Sequence, residues 1–89
     1  MNFRVVMPHS LKMRLADLYL EASGEGFGEV FTAASNQIEQ MLRSNPTDVG
    51  ESRSFPTRFL FVPPVSVHYE VDDEEQVVLI LALGYRSPR

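Results

Sequence analysis

The sequence contains no cysteine. A disulfide framework and a thiolate zinc site are therefore excluded, and nothing in the composition indicates an oxidising compartment. No apolar run approaches the roughly 18 residues that a membrane-spanning helix needs, and the first residues carry too few apolar side chains for a signal-peptide core. These absences predict a cytoplasmic protein without a membrane partner.

Metal and nucleotide motifs are also missing. The two histidines, His9 and His68, cannot form a zinc site without a third ligand. The acidic run Asp72–Glu75 lacks the ligand spacing of a calcium loop, so we interpret it as a solvated turn. The glycine-rich segment Gly24–Gly28 lies between two predicted helices, whereas a phosphate-binding loop follows a strand. The sequence therefore predicts neither a metal nor a cofactor.

Positive charge is sparse. The chain has 8 Lys and Arg residues against 12 Asp and Glu residues, a net charge of −4, which counts against a nucleic-acid partner. The charges are nevertheless segregated, because residues 1–16 contain basic residues and no acid, and residues 52–69 contain Arg53 and Arg58 and no acid. Two interpretations remain open: a local basic surface on an acidic protein, or scattered solubilising charges.

The first half of the chain indicates a strand followed by two amphipathic helices. Phe3–Met7 is the predicted strand, Ser10 is the predicted N-cap of a helix that ends near Ser23, and Pro46 stops the second helix. The predicted core stripes are Leu11, Leu15, Leu18, Tyr19 and Ala22 on the first helix, and Phe31, Ala34, Ile38, Met41 and Leu42 on the second. The segment Asn45–Phe55 has no apolar periodicity and is a predicted loop.

The second half indicates three consecutive strands. Thr57–Val62 is rich in β-forming residues, Val65–Asp72 alternates apolar and polar residues, and Val77–Leu83 is apolar throughout. The Pro63-Pro64 pair suits the first turn, and acidic residues form the second. The order β-α-α-β-β-β predicts a single α+β domain over residues 1–89, with two helices packed on one face of a mainly antiparallel four-stranded sheet.

Two helices on one side leave the other side of the sheet uncovered. We expect Phe59 and Phe61 to point into the core and Tyr69 to pair with Val78. The uncovered face then presents an apolar patch with a basic rim, for which the predicted partner-binding residues are Leu60, Val62, Leu79, Leu81 and Arg53. Such patches mark interaction sites. Two interpretations remain open: a separate partner, or a cover supplied by a tail or by a homodimer.

Several segments resemble one known family. They are Leu15-Ala-Asp-Leu18 in the first helix, Arg58-Phe-Leu60 at a strand start, Val67-His-Tyr-Glu-Val71 in the next strand, and Gly50-Glu-Ser-Arg53 followed by Phe61-Val-Pro-Pro64. Together with the order of the elements, these segments resemble the RelE/ParE toxin superfamily of type II toxin-antitoxin systems. The resemblance spans nearly the whole chain and implies a cognate antitoxin as partner.

The resemblance also implies a catalytic set. Members of the ribonuclease branch cut messenger RNA at the ribosome, a reaction that needs cations around a pentavalent phosphorane and proton transfer at two oxygens. By position, Arg58 and Arg86 match phosphate-binding cations of the family. His68 and Tyr85 are the candidates for proton transfer.

Departures from the family pattern leave a second hypothesis open. Ser66 and Leu60 stand where many active members have basic residues, and the usual C-terminal tyrosine has no counterpart. The chain is then a non-catalytic module of the same fold, either directed at DNA gyrase as in the ParE branch or degenerate, keeping only antitoxin binding or self-association. His68 is then an ordinary surface residue and Tyr85 a core residue. The acidic balance and the missing cations favour this second hypothesis more than the fold alone would.

Overall fold

The computed structural model describes residues 2–54 and 56–89. Within these residues it contains two long helices, one short helix and five strands. In chain order they are β1 (Arg4–Val6), α1 (His9–Gly24), α2 (Gly28–Ser44), α3 (Pro46–Val49), β2 (Glu51–Ser52), β3 (Thr57–Val62), β4 (Val65–Asp72) and β5 (Val77–Tyr85). None of the helices in this part of the chain is long and apolar enough to cross a membrane.

Both predicted helices are present, and the main difference is at the start of the first. α1 begins at His9, and Pro8 is its N-cap residue, whose backbone carbonyl accepts hydrogen bonds from the N–H groups of Leu11 and Lys12. Ser10, the predicted N-cap, therefore lies inside the first turn. Gly26 turns the chain between the helices with φ at 89°, a conformation that glycine adopts without strain. α2 ends at Ser44, as the proline two residues later predicts.

The strands form one mixed sheet in the order β1-β5-β4-β3-β2. β3, β4 and β5 make the predicted antiparallel meander, and β1 pairs in parallel with β5, with Arg4 opposite Val77. The α+β class and the element order are confirmed. The sheet has five strands rather than four, because the predicted loop after the second helix contains α3 and the two-residue strand β2. Phe55, the last residue of that predicted loop, lies outside the described residues.

One hydrophobic core lies between the two long helices and one face of the sheet. Its buried side chains are Leu18, Ala22, Phe31, Ala34, Ile38, Leu42, Leu60, Val65, Val67, Tyr69, Val78, Ile80 and Leu83. The predicted stripe on α2 is confirmed, with Met41 half-buried at its margin. Tyr19 is 41% exposed and lies at the edge of the core, where its ring meets Phe31 edge-on. In a chain without cysteine, this apolar burial is the main stabilising term.

β4 and β5 pair in a register two residues away from the predicted one. Tyr69 pairs with Ile80, whereas the sequence analysis placed it opposite Val78. The cause is the length of the turn, because four residues, Asp73–Gln76, connect the two strands. A shift of two residues keeps Leu79 and Leu81 on the predicted side of β5. An irregularity in the pairing between His68 and Tyr69 then interrupts the alternation, and Leu83 is buried in the core.

Candidate functional site

The face of the sheet opposite the helices is uncovered in the described part of the chain, and we call it the open face. On β4, every second residue from Ser66 to Glu70 lies on this face, because the residues between them are buried against the helices. Phe61 and Leu81 are 41% and 39% exposed there, so the face presents apolar surface to solvent. Its members are Phe59 and Phe61 on β3, Ser66, His68 and Glu70 on β4, and Val77, Leu79 and Leu81 on β5.

β3 faces the opposite way from the prediction. Leu60 is only 7% exposed and lies in the core with Val62 packed against it, whereas Phe59 and Phe61 occupy the open face. The placement of Leu60 and Val62 in the exposed patch is therefore wrong. The sequence of β3 favours neither orientation, because all four residues from Phe59 to Val62 are apolar and alternation is absent.

The other three predicted partner-binding residues do lie at the open face. Leu79 and Leu81 belong to it directly, and Arg53 borders it with its guanidinium carbon 4.9 Å from the centre of the Phe59 ring. The centre of the Phe59 ring also lies 4.8 Å from the centre of the His68 imidazole. This group of guanidinium, phenyl and imidazole side chains was not predicted, because Phe59 was expected to point into the core.

Arg58 lies on the helix side of the sheet. Its Nη2 donates a hydrogen bond to the carbonyl oxygen of Gly50 at 2.6 Å. Beside it, the hydroxyl of the buried Tyr69 donates to the carbonyl oxygen of Pro46 at 2.7 Å. Burial raises the pKa of Tyr69, and the Arg58 guanidinium offsets part of that rise. Arg58 and Tyr69 therefore hold the α3–β2 connection against the sheet.

Tyr85 also points to the helix side. Its hydroxyl donates to Oε1 of Glu25 at 2.6 Å, and its ring meets Phe31 edge-on with 5.9 Å between the ring centres. This hydrogen bond lowers the pKa of the Glu25 carboxyl. Partial burial, together with the bond to Glu25, raises the pKa of Tyr85. Tyr85 thus fastens the end of β5 to the loop between the two long helices.

His68 and Arg86 border the open face instead. His68 lies in the middle of β4, and Arg86 follows β5, where its backbone N–H donates to the carbonyl of Pro64 at 2.8 Å. Arg86 lines a depression of about 380 Å³ together with Phe59, Phe61, Ser66, Gly84 and Tyr85. The side chains of the four predicted catalytic residues therefore do not converge. His68 and Arg86 border the open face, and Arg58 points to the helix side. Tyr85 lines the depression beside Arg86, but its hydroxyl points to Glu25 on the helix side.

The open face is acidic at the end next to the β4–β5 turn. A depression of about 510 Å³ lies where β1, β5 and the β4–β5 turn meet, with Val6, Val77 and Leu79 as an apolar floor. Its rim carries the carboxylates of Glu70, Asp72, Asp73 and Glu74. The acidic turn was predicted from the sequence. The apolar residues beside it, Val6, Val77 and Leu79, were not, because the sequence pattern does not indicate where β1 lies in the sheet.

The chemistry available on the open face is that of a binding surface. It combines aromatic and aliphatic side chains with one imidazole and two guanidinium groups at its margin. Within residues 2–54 and 56–89, no cluster of three histidine or carboxylate side chains is arranged to hold a metal ion. Aromatic and arginine side chains of this kind supply much of the binding free energy at protein interfaces.

Comparison with known proteins identifies the fold. No family model and no curated protein sequence matches the chain. A solved structure does: a chain of the toxin-antitoxin complex RelBE2 from Mycobacterium tuberculosis superimposes with a TM-score of 0.74. The match covers 97% of this chain and 100% of that chain at 20% sequence identity. The order of elements, the meander and the helices on one side of the sheet are therefore those of the RelE-like toxin fold, and that is the fold of this chain.

Proposed function

We propose that this chain is the toxin of a type II toxin-antitoxin pair of the RelE/ParE kind, acting in the cytoplasm, and that it works by binding through the open face. The structural match to a chain of a toxin-antitoxin complex supports the pairing with an antitoxin. The observation that carries the binding mode is the separation of the predicted catalytic residues onto two sides of the sheet.

RNA cleavage through the predicted set requires its members to converge on one phosphate. The side chains of Arg58 and Tyr85 instead donate hydrogen bonds to the carbonyl of Gly50 and to the carboxylate of Glu25. Each cation that a phosphoryl-transfer site lacks costs about 10² to 10³ in rate when that cation contacts the transition state. Binding of a protein, by contrast, needs only the exposed apolar surface and its charged margin, and both are present.

Messenger RNA cleavage is the second candidate function, and one observation favours it. Arg53, Phe59 and His68 form a row on the open face, and aromatic rings beside guanidinium groups stack on unpaired RNA bases. In that case His68 is the proton acceptor, and Arg53 and Arg86 supply the positive charge. This site differs from the predicted one, because it uses neither Arg58 nor Tyr85.

Induced expression in a bacterial host tests both candidates. For the binding toxin we expect growth arrest without cleavage of messenger RNA, and loss of that arrest in the double variant Phe61→Ser with Leu81→Ser. Primer extension on messenger RNA and a DNA-cleavage assay with gyrase then report the target. Circular dichroism of each purified variant checks that it is folded.

The outcomes are distinct. Cleavage of messenger RNA at the ribosomal A site that disappears in His68→Ala assigns the chain to the ribonucleases and contradicts the binding mode. Cleaved DNA without RNA cleavage supports a gyrase-directed binding toxin. Unchanged growth on expression of the wild-type chain contradicts the toxin assignment itself.

A further inference from the structure

Position 35 interrupts the apolar stripe of α2. Phe31, Ile38 and Leu42 are buried core residues at i, i+7 and i+11, so the helical period places position 35, at i+4, on the same face. The residue there is serine. Its Oγ atom is buried and makes no hydrogen bond within residues 2–54 and 56–89. A buried hydroxyl without a partner destabilises a folded chain, so its presence in the core calls for an explanation.

Ser35 lines a cavity of about 160 Å³ between the two long helices and the sheet, and we call it the Ser35 cavity. Short side chains account for the space, because a serine on α2 and two valines on β4 border it and fill less volume than leucines would. The deep wall is apolar and consists of the buried side chains Ile38, Leu42, Val65, Val67 and Ile80.

The Ser35 cavity reaches solvent beside α2. Two residues of its lining, Asn36 and Glu39, are exposed, and Met7 of the lining is half-buried. A methionine side chain is unbranched and adapts its shape readily, so it does not block the entry of a small molecule. None of the described lining residues belongs to the open face. A molecule in the cavity therefore does not compete with a partner on the open face.

Size and lining define the class of ligand that fits. A protein cavity of about 150 Å³ with aliphatic and aromatic walls binds one benzene molecule. The Ser35 cavity has that size and an apolar wall, and it adds one hydroxyl that can both donate and accept a hydrogen bond. Its described lining contains no cationic side chain, and the carboxylate of Glu39 lies at the mouth, so an anionic ligand is disfavoured.

We infer that the Ser35 cavity is a binding site for an uncharged single-ring molecule that carries one hydroxyl group, of which phenol is the simplest member. The ring contacts the aliphatic wall, and the hydroxyl of the ligand forms a hydrogen bond with Oγ of Ser35. The inference goes beyond the proposed function and does not depend on it, because the cavity lies on the helix side of the sheet.

Phenol and toluene test the inference, because the two molecules have nearly the same size and differ by a hydroxyl in place of a methyl group. Titration of the full chain, followed by methyl ¹H–¹³C NMR, measures both dissociation constants. We expect saturable shifts of the methyl signals of Ile38, Val65, Val67 and Ile80 with both probes. Binding to the folded chain should also raise the midpoint of thermal unfolding as the concentration of phenol increases.

Ser35→Ala tests the role of the hydroxyl. The ratio of the toluene dissociation constant to the phenol dissociation constant should fall about fivefold to tenfold in this variant, which is the net contribution of one hydrogen bond. The matched control, Ser44→Ala, makes the same change at an exposed position of the same helix and should keep the ratio. Circular dichroism confirms that both variants are folded, as expected for alanine in a helix.

Val67→Ile tests the space without changing the hydroxyl. It adds one methyl group to the wall of the cavity and should weaken the binding of both probes roughly tenfold, because the remaining volume is too small for the ring. The matched control is Val30→Ile, which adds the same group to a side chain that is 48% exposed and lies outside the cavity. It should leave both dissociation constants unchanged.

Saturable shifts confined to the cavity, together with the lower ratio in Ser35→Ala, would support the inference. Three results would overturn it: no saturable shift with either probe, shifts of methyl groups outside the cavity instead, or a ratio in Ser35→Ala equal to that of the wild type. A decrease of the same size in Ser44→Ala would also overturn it. Absence of growth arrest on expression would contradict only the toxin assignment, because none of these measurements depends on toxicity.

Discussion

Gly50 lies where the α3–β2 connection presses against the sheet. A Cβ atom added there would overlap the hydroxyl of Tyr69 and would lie 2.9 Å from the carbonyl oxygen of Phe59. The carbonyl of Gly50 itself accepts the hydrogen bond from Arg58. The segment Gly50–Arg53, which carried part of the family resemblance, therefore has a structural role. It brings the backbone of Gly50 close enough to the sheet for the side chain of Arg58 to donate a hydrogen bond to it.

Gly50→Ala tests this close approach. We expect the substitution to lower the free energy of unfolding by about 1 to 3 kcal/mol, because an extra methyl group in a packed site displaces its neighbours. Urea denaturation followed by circular dichroism measures the change. Gly24→Ala is the matched control, because a Cβ there meets nothing within 4 Å, and its midpoint should not fall. Equal midpoints for Gly50→Ala and the wild type would contradict the packing described.

The bond between Tyr85 and Glu25 predicts a pH dependence. Because the pKa of Glu25 is lowered from its ordinary 4.5 in the folded chain, its contribution to stability is complete above that value. The contribution is lost as the pH falls through the lowered pKa. We expect Tyr85→Phe to return the Glu25 pKa towards 4.5. The free energy of unfolding of this variant should then decrease less steeply as the pH falls below 4.5. Carboxyl-detected NMR titration measures the pKa, and an identical value in both chains would contradict the assignment.

At the scale of the element, β3 carries apolar residues on both faces and serves two purposes. Leu60 fills the core between the helices and β4, while Phe61 stands on the open face and is 41% exposed. The same residue class therefore stabilises the fold at one position and offers a contact surface at the next. The helices cover one side only, so the second apolar face of the meander has no internal role in the described part of the chain.

Neighbouring substitutions on β3 should separate the two purposes. Leu60→Ser should lower the free energy of unfolding by about 3 to 5 kcal/mol, through a cavity and a buried hydroxyl. Phe61→Ser should change it by less than about 1 kcal/mol, because the side chain is already in contact with water. Urea denaturation measures both. A larger loss for Phe61→Ser than for Leu60→Ser would show that the facing of β3 is the reverse of that described.

At the scale of the whole molecule, the N-terminal strand β1 forms one edge of the sheet, beside the C-terminal strand β5. It pairs in parallel with β5, with Val5 opposite Val78, and the backbone N–H of Phe3 donates to the carbonyl of Arg43 at the end of α2. Val5 packs against the core, and Val6 lines the acidic depression on the open face. The first strand thus connects sheet, helix and open face.

Val5→Thr should lower the free energy of unfolding of the whole domain. A hydroxyl placed against the core costs about 1 to 3 kcal/mol, whereas Val6→Thr places the same group on the open face and should cost less than about 1 kcal/mol. Thermal unfolding by calorimetry should show one transition for each variant, with the larger decrease in midpoint for Val5→Thr. Two separate transitions would indicate that β1 is not part of the cooperative unit.

Much of the architecture was predictable because its signals are local. The alternation on β4, the stripes on α1 and α2 and the proline after α2 depend only on neighbours in sequence, and the structure follows them. The site was less predictable. Arg58 was predicted as a phosphate-binding cation from the family resemblance, and Tyr85 was a candidate for proton transfer. The directions of both side chains depend on distant partners, Gly50 and Glu25, which no local pattern indicates.

By itself, the sequence determined the element order, the α+β class and the faces of β4, because alternation assigns each side chain to a side of that strand. Only the tertiary structure decided the facing of β3, the place of β1 beside β5, and the division of the catalytic candidates between two sides of the sheet. These depend on the position of one element relative to another. The physical reason is that an all-apolar strand packs equally well either way in isolation, and only its neighbours select the face that is buried.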